Sequence, residues 1–174
     1  YVLIFLQVRS VILPLKAIVM NILSVSASFG VLVWVFQMGN GAELMNFTPQ
    51  PIDPTTPVMI FAILYGLSMD YEVLMLSRIH EEWERTGDNN KAVAVGLQKS
   101  GRIITSAALV MITVFSAFGI SSISLMKQFG LMLALGVAVD ATIVRALVVP
   151  ATMRLMGDLN WWTPKWLGGE ETTQ

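Results

Sequence analysis

Four apolar stretches, each about as long as a membrane-spanning helix, constrain this chain more than any other feature. They cover residues 17–37, 57–77, 103–123 and 128–153 of the 174-residue sequence. A helix needs about 20 predominantly apolar residues to cross the hydrocarbon core of a bilayer. Because backbone polar groups in lipid must be satisfied within the protein, such stretches span as helices. We therefore predict an all-α polytopic membrane protein with four complete transmembrane helices.

The composition agrees with a membrane protein and excludes several other classes. Hydrophobic residues make up 55% of the sequence and charged residues only 13%, which is too apolar for an ordinary soluble domain. The net charge of -1 gives no indication of a nucleic-acid partner. Cysteine is absent, so neither a disulfide framework nor a thiolate site is expected. We expect membrane lipid as the surroundings, no metal and no cofactor.

The remaining segments predict the connections between the spans. Residues 1–9 are apolar up to Arg9 and too short to cross a bilayer, so we interpret them as the end of a truncated transmembrane helix. Residues 38–56 are rich in Gly, Pro and Asn and are typical of a loop. Residues 78–102 are polar, and their part 90–102 is either a short amphipathic surface helix or a solvated connector. Residues 154–174 are predicted to be a cytoplasmic or interfacial tail, whose tryptophans Trp161, Trp162 and Trp166 lie at the membrane surface or pack on the bundle.

The basic residues predict the orientation, because cytoplasmic loops near helix ends carry an excess of Lys and Arg. If residues 1–9 end on the cytoplasmic side, nine of the 11 basic residues fall there: Arg9, Lys16, Arg78, Arg85, Lys91, Lys99, Arg102, Arg154 and Lys165. Lys127 falls outside and Arg145 within a span. Residues 38–56 are therefore expected to be an extracytoplasmic loop and residues 78–102 a cytoplasmic loop.

Asp70 is the strongest functional candidate, because it stands inside the second apolar stretch. Its position is about 20 Å from the outer end of that span at a rise of 1.5 Å per residue. An Asp near a helix centre costs at least ~2.5 kcal/mol on insertion, so an intramembrane acid is by default a functional candidate. The structural alternative is an ion pair or a hydrogen-bonded acid within the bundle.

Both neighbours on the C-terminal side of Asp70 are polar as well. Tyr71 presents a hydroxyl that suits a proton path, although packing is the commoner use of a buried tyrosine. Glu72 lies about 200° around an α-helix from Asp70, so the two carboxylates cannot face the same group. The interpretation of Glu72 is divided between a second polar contact and a snorkelling or packing role.

A second acid, Asp140, repeats the pattern of the first. Asp70 follows Gly66 by four residues, and Asp140 follows Gly136 by four residues, in spans that run in the same direction. Each glycine lies one turn before its acid on nearly the same face, where it is expected to let a neighbouring backbone approach closely. The two acids are predicted to lie at about the same depth.

Arg145 is a basic residue well inside a span, and it needs a counter-charge. Its offset of about 140° from Asp140 permits only an imperfect pair within an α-helix. The alternative is a contact on another helix or at the inner interface. Hydroxyls of the third span are expected to hydrogen-bond across helices, namely those of Thr105, Ser106, Thr113 and Ser116.

Three ordered stretches together resemble a known family. They read "GLSMDYEVLMLSRIHEEW", "AVAVGLQKSGRIITSAALVM" and "GVAVDATIVRALVVPATMRLMGDLNWWTPKW", and they resemble the MmpL branch of the resistance-nodulation-division (RND) transporters over nearly the whole chain. The resemblance implies the second half of a twelve-helix bundle in the bacterial inner membrane. It also implies a transporter rather than an enzyme, in which a proton gradient drives export of lipids or other hydrophobic molecules.

On that resemblance, the proton-relay pair of the family falls on Asp70 and Tyr71. The polar positions of its last helix fall on Asp140 and Arg145, which we expect to support the relay together with Glu72. The chain then corresponds to the end of helix 8 followed by helices 9–12. The N-terminal half of the same transporter, which carries the other Asp-Tyr pair, is the expected binding partner.

Three alternatives remain open at this point. A SecD/SecF-like export helper shares the superfamily and a similar Gly-x-x-x-Asp helix. An intramembrane aspartyl protease also needs two membrane acids, which share one proton, although its Gly-x-Gly-Asp pattern is absent here. A sterol-sensing-like regulatory bundle is the third.

Overall fold

The computed structural model describes residues 1–40, 42–45, 52–121 and 123–162, and every regular element in these ranges is helical. The first half contains α1 (Val2–Val8), α2 (Ile12–Leu32) with a π-helical continuation (Val33–Gln37), α3 (Ala42–Met45) and α4 (Thr55–Thr86). The second half contains α5 (Asn89–Gly119), α6 (Ser124–Val139), a π-helical segment (Asp140–Val148), α7 (Val149–Met156) and a 3₁₀ turn (Gly157–Trp161).

Within the described ranges, four helical stretches are long and apolar enough to cross a membrane: Ile12–Gln37, Thr55–Thr86, Asn89–Gly119 and Leu125–Trp161. Each of them contains or overlaps one of the four predicted spans. The last stretch consists of α6, the π-helical segment, α7 and the 3₁₀ turn, which follow one another without a loop. The chain is therefore an all-α polytopic membrane protein, as predicted.

The polar segment 78–102 differs most from its prediction as a loop. Both α4 and α5 extend into it, so that only Gly87 and Asp88 separate them, and residues 90–102 are the first part of α5. Gly87 adopts a left-handed φ of 66°, which ends α4. The Asp88 carboxylate accepts hydrogen bonds from two backbone N–H groups of α5 at 2.9 and 3.1 Å, which starts the next helix. The segment thus consists of the ends of two long helices joined by a tight turn at Gly87 and Asp88.

A buried carboxylate and a glycine hold the extended ends of α4 and α5 together. Glu82 is fully buried, and it pairs with Lys99 of α5 at 3.0 Å and with Arg85 of its own helix. A Cβ added at Gly96 would lie 2.7 Å from Ile79 Cα, so the two backbones approach closely only because residue 96 has no side chain.

Two hydrophobic clusters fill the bundle and leave a polar layer between them. The first joins α1, the start of α2, the second half of α4 and α7; it includes Ile4, Leu13, Met75, Ile79 and Met153. The second joins the later part of α2, the first half of α4 and α6; it includes Val25, Leu64, Met132, Leu133 and Val137. Four buried polar residues lie between these two sets along their helices: Asn21 and Ser24 of α2, and Ser68 and Glu72 of α4.

The predicted tail, residues 154–174, begins with the end of α7, and the 3₁₀ turn that follows packs on the bundle. Trp161 is buried, its ring stacks on that of Trp83 with centroids 4.3 Å apart, and its indole N–H donates to Asn89 Oδ1 at 3.0 Å. Packing is therefore the correct interpretation for Trp161, while Trp162 is exposed. Lys165 and Trp166 lie outside the described residues.

Candidate functional site

Six buried polar side chains meet where α2, α4 and the π-helical segment come together. Each exposes 8% or less of its surface. We call them the polar seam: Asn21 and Ser24 of α2, Ser68 and Glu72 of α4, and Asp140 and Arg145 of the π-helical segment. On α2 the two residues are three apart and on α4 they are four apart, which places each pair on one helix face. Each helix therefore presents polar groups toward the others inside an apolar bundle.

An ion pair between Asp140 and Arg145 forms the centre of the seam. Arg145 Nε donates to Asp140 Oδ2 at 2.7 Å, and both side chains are buried. The expectation of an imperfect pair assumed an α-helix, but residues 140–148 are π-helical. A π-helix bonds each N–H to the carbonyl five residues earlier, so residues five apart lie on nearly the same face. The change of helix type therefore brings the two charges together.

Ser68 joins the ion pair to the other two helices. Arg145 Nη2 donates to Ser68 Oγ at 2.8 Å and also to the backbone carbonyl of Ser68. Ser68 Oγ lies 2.5 Å from Asn21 Oδ1 and 3.2 Å from Asp140 Oδ1. A serine hydroxyl donates only one hydrogen bond, and the shorter distance assigns that bond to Asn21. Ser24 then donates to Asp140 Oδ1 at 3.2 Å, so α2, α4 and the π-helical segment share one hydrogen-bonded network.

Glu72 extends the seam toward α7. Its side chain is buried and lines a small cavity together with Val149 and Met153 of α7. Lys16 lines the same small cavity as Glu72, and its ammonium group donates to the carbonyl of Val149 at 3.3 Å. The structure buries Glu72, and its polar contact remains a prediction.

Tyr71 lies at the edge of the seam. The guanidinium carbon of Arg145 stands 5.5 Å from the centre of the Tyr71 ring, within the range of a cation–π interaction. Tyr71 also lines a cleft next to Ser24, Ser68 and Asp140. It is half-buried and follows Asp70 directly along α4, so it connects the exposed face of the helix with the seam.

Asp70 does not join the seam. Its side chain lies on an exposed face of α4, on the side opposite to Glu72, as the angular offset between them predicted. The exposed positions Met59, Ala62, Gly66 and Asp70 share this face at helical spacing. A Cβ added at Gly66 would meet no heavy atom of the described residues within 4 Å, so the close contact expected at this glycine is not made by the described part of the chain.

Gly136, in contrast, does have a close neighbour. A Cβ added there would lie 2.7 Å from the methyl carbons of Leu64 and 3.2 Å from Ser28 Oγ. The expected close approach is therefore made by side chains of α4 and α2 instead of by a backbone.

Sequence reasoning missed Asn21, Ser24, Ser68 and Lys16. A signal for two of them was present, because Asn21 and Ser24 lie three residues apart on one face of an otherwise apolar helix. Hydrogen bonds across helices were predicted for hydroxyls of α5 instead, and for three of them the prediction was wrong. Thr105, Ser106 and Thr113 donate to carbonyls of their own helix at 2.6 to 2.8 Å, and all three are exposed.

Comparison with known proteins places the chain in a family. The model of the MMPL family matches residues 1–170. The chain is 45% identical over 168 residues to the trehalose monomycolate exporter MmpL3 of Mycolicibacterium smegmatis, a match that covers 95% of the chain and 16% of that protein.

Two MmpL11 proteins are similarly related. The heme uptake protein MmpL11 of Mycobacterium tuberculosis is 44% identical over 167 residues, covering 96% of the chain and 17% of that protein. The mycolic acid-containing lipids exporter MmpL11 of M. smegmatis is 44% identical over 167 residues, covering 96% of the chain and 18% of that protein. The chain thus spans less than a fifth of the length of these relatives. It belongs to the MMPL family, the MmpL branch of the RND transporters.

Proposed function

We propose that this chain is the C-terminal membrane portion of a proton-motive-force-driven exporter of lipids or other hydrophobic molecules in the bacterial inner membrane. The observation that carries the proposal is the polar seam. It places the buried ion pair of Asp140 and Arg145 inside a membrane bundle and bonds it to two further helices. Ionisable groups inside a membrane are costly and usually mark an ion or proton pathway.

The chemistry of the seam supports coupling between protons and helix packing. When a buried carboxylate takes up a proton it loses its charge, and the interaction with a neighbouring guanidinium in a low-dielectric interior weakens sharply. Arg145 also bonds Ser68 of α4, so neutralising Asp140 changes the contact between α4 and the π-helical segment. A proton-driven transporter needs two packing arrangements of its helices, one favoured by the charged carboxylate and the other by the protonated one.

Asp70 and Tyr71 act in this proposal as the proton acceptor and its hydrogen-bonding neighbour. Asp70 is exposed on α4, and a carboxylate facing lipid alone would be costly. We infer that the N-terminal half of the same transporter covers this face and completes the site, since transporters built from repeats place their sites between the repeats. Tyr71, whose ring contacts Arg145, then links Asp70 to the seam.

The substrate class follows from the relatives and not from the seam. Two of the three relatives above are named as exporters, one of trehalose monomycolate and one of mycolic acid-containing lipids. We extend a hydrophobic or lipid substrate to this protein on that basis.

An intramembrane aspartyl protease is less well supported by the same geometry. Such an enzyme needs two acids that share one proton. Asp140 is instead paired with Arg145, while Asp70 lies on the exposed face of α4. The arrangement favours transport over peptide hydrolysis.

Asp70→Asn in the full-length transporter tests the proposal. The amide keeps the size and hydrogen-bonding capacity of the side chain but cannot take up and release a proton. We expect proton-driven export to fall to background in proteoliposomes with an imposed pH gradient, when it is normalised to folded protein, while expression and melting temperature hold.

Asp158→Asn is the matched control, because Asp158 is an exposed carboxylate of the 3₁₀ turn outside the seam. It should leave export unchanged. Export by Asp70→Asn at the wild-type rate would remove Asp70 from the proton path, and loss of the folded protein would support a structural role instead.

A further inference from the structure

Asn21 of α2 bonds two consecutive residues of α4. Its Oδ1 accepts the hydrogen bond from Ser68 Oγ at 2.5 Å, and its Nδ2 donates to Met69 Sδ at 3.0 Å. The side chain of Asn21 is only 1% exposed, so both bonds lie inside the bundle. A thioether sulfur accepts hydrogen bonds but donates none, and it therefore fixes which end of the amide carries the N–H groups. The carbonyl end of Asn21 points to Ser68.

The Ser68 hydroxyl has two acceptors within reach and a single proton. Asn21 Oδ1 lies 2.5 Å and Asp140 Oδ1 3.2 Å from Ser68 Oγ. Because Asn21 takes the proton, a lone pair of the hydroxyl faces Arg145, whose Nη2 donates to Ser68 Oγ at 2.8 Å. Asp140 Oδ1 keeps the hydrogen bond from Ser24 at 3.2 Å and does not receive the one from Ser68.

The donors around Asp140 determine how readily its carboxylate takes up a proton, because each hydrogen bond to a carboxylate stabilises the charged form. Arg145 Nε and Ser24 Oγ already donate to it. A further bond from Ser68 would hold the charge more firmly and oppose protonation. The orientation of one hydroxyl, set by Asn21, thus decides whether Asp140 gains this additional donor.

We propose that Asn21 is a positioning residue that turns the Ser68 hydroxyl away from Asp140 and so keeps Asp140 ready to take up a proton. The consequence for transport rests on the proposed proton-driven function, whereas the hydrogen-bond arrangement does not. Asn21 belongs to α2 and Ser68 to α4, so a movement of α2 that breaks their bond releases the hydroxyl to Asp140. Packing of α2 on α4 is in this way coupled to protonation.

Other charged and titratable groups also surround Asp140. Arg145 pairs with it from the same segment, Tyr71 of α4 lines the same cleft, and Glu72 of α4 and Lys16 of α2 line a second cavity. The described parts of α5, α6 and α7 add no charged side chain to either cavity. A substitution of Asn21 leaves all of these groups in place, so it isolates the effect of the Ser68 hydroxyl.

Asn21→Leu in the full-length transporter tests the positioning role, because leucine keeps the size of the side chain and removes the acceptor. Infrared spectroscopy of the protein in detergent follows the band of protonated carboxyl groups as the pH changes. The part of the band that is lost in the double variant Asp140→Asn with Arg145→Met belongs to Asp140. We expect its pH midpoint to fall by about one unit in Asn21→Leu, the effect of one added hydrogen bond to a charged group.

Removing the Ser68 hydroxyl should abolish this shift. In a Ser68→Ala background, Asn21→Leu is expected to leave the midpoint where Ser68→Ala alone places it, because there is no hydroxyl to turn. Met69→Leu keeps the volume but removes the sulfur that orients the amide, and it should lower the midpoint in the same direction. It supplies the test if Asn21→Leu does not fold.

Asn90→Leu is the matched control, since Asn90 is exposed on α5 and should leave the midpoint unchanged. An unchanged or higher midpoint in Asn21→Leu and Met69→Leu would overturn the positioning role. A shift of equal size in the Ser68→Ala background would also overturn it, because the effect would not pass through the hydroxyl.

Proton flux in proteoliposomes, read by the trapped pH dye pyranine under an imposed pH gradient, separates this inference from the proposed function. We expect the pH profile of the flux to move with the infrared midpoint in Asn21→Leu. If the midpoint falls but the wild-type protein carries no proton flux, the positioning role stands and the proposed function fails. If the wild type carries flux and the midpoint does not move, the function stands and the role of Asn21 is overturned.

Discussion

The carboxylate of Asp140 lies inside the bundle against a guanidinium and a serine hydroxyl, whereas the carboxylate of Asp70 lies on the exposed face of α4. Both acids follow a glycine by four residues within an apolar helix. The difference lies in what surrounds each helix. The helix of Asp140 has α2 and α4 beside it. The face of α4 that carries Asp70 also carries Gly66, and a Cβ added at Gly66 would meet no described atom within 4 Å.

This difference separates two kinds of membrane acid. Asp140 has its counter-charge five residues away in the same chain, so the fold of this chain alone explains why it can be buried. An acid exposed on a membrane helix has no such compensation and is costly in lipid. Asp70 therefore needs a neighbour from outside this chain, which supports the proposal that the N-terminal half of the transporter covers it.

Arg145→Met gives the largest expected effect and tests the contrast directly. Removing the guanidinium leaves Asp140 as an uncompensated buried charge, for which a loss of about 3–5 kcal/mol in the free energy of unfolding is typical. Chemical denaturation of the purified full-length transporter in detergent measures it. The double variant Asp140→Asn with Arg145→Met removes both charges and should recover most of the loss.

Asp70→Asn is the reference for that experiment, because Asp70 makes no ion pair within the described residues. We expect its stability to lie within about 0.5 kcal/mol of the wild type. Equal destabilisation by Asp70→Asn and Arg145→Met would show that the two acids are held alike and would break the comparison.

Much of the fold is predictable because it depends on local properties of the sequence. Hydropathy and length identify four spanning helices, and these match the four long apolar helices of the structure. The turn at Gly87 and Asp88 was missed although its signals are local, since a glycine and a capping aspartate adjoin there. The polar composition of residues 78–102 favoured a loop, but the segment is helical on both sides of Gly87 and Asp88.

The charged residues of the site were predictable from the sequence, but its uncharged members and its geometry were not. Charged residues within an apolar span indicate Asp140 and Arg145 as site residues. Their contact depends on the π-helical segment, because residues five apart in an α-helix are offset by about 140° and pair poorly. The role of Ser68 depends on which helix packs against it, which no local pattern specifies. Asp70 was expected at the centre of a site, and its surroundings remain a prediction because its face is open in the described chain.

Gly66→Leu is expected to have the second-largest effect and sharpens the contrast between a covered and an open face. Among the described residues, a Cβ added at Gly66 would meet no heavy atom within 4 Å. If another helix packs against Gly66 and Asp70 in the full-length transporter, the leucine forces the two helices apart at a cost of about 1–3 kcal/mol. We expect lower export and a lower melting temperature.

Gly101→Leu is the control for that variant. A Cβ added at Gly101 also meets no described atom within 4 Å, and Gly101 lies on α5, away from the proposed contact. It should be tolerated. Unchanged export and stability in Gly66→Leu would mean that lipid, not protein, covers this face, and the assignment of Asp70 to an interface between halves would fail.

Tyr71→Phe has the smallest expected effect on stability and separates the two roles of this residue. The phenyl ring keeps its place over Arg145, where the distance to the ring centre is 5.5 Å, and only the hydroxyl is lost. Stability should change by less than about 0.5 kcal/mol, while proton-driven export slows because the hydroxyl no longer links Asp70 to the seam. Tyr71→Leu removes the ring as well and should cost a further ~0.5–2 kcal/mol from the cation–π contact. Export rates and denaturation curves of both variants decide the matter. A Tyr71→Phe protein that exports at the wild-type rate would confine Tyr71 to packing against Arg145, and would leave Asp70 without a connection to Asp140 through this side chain.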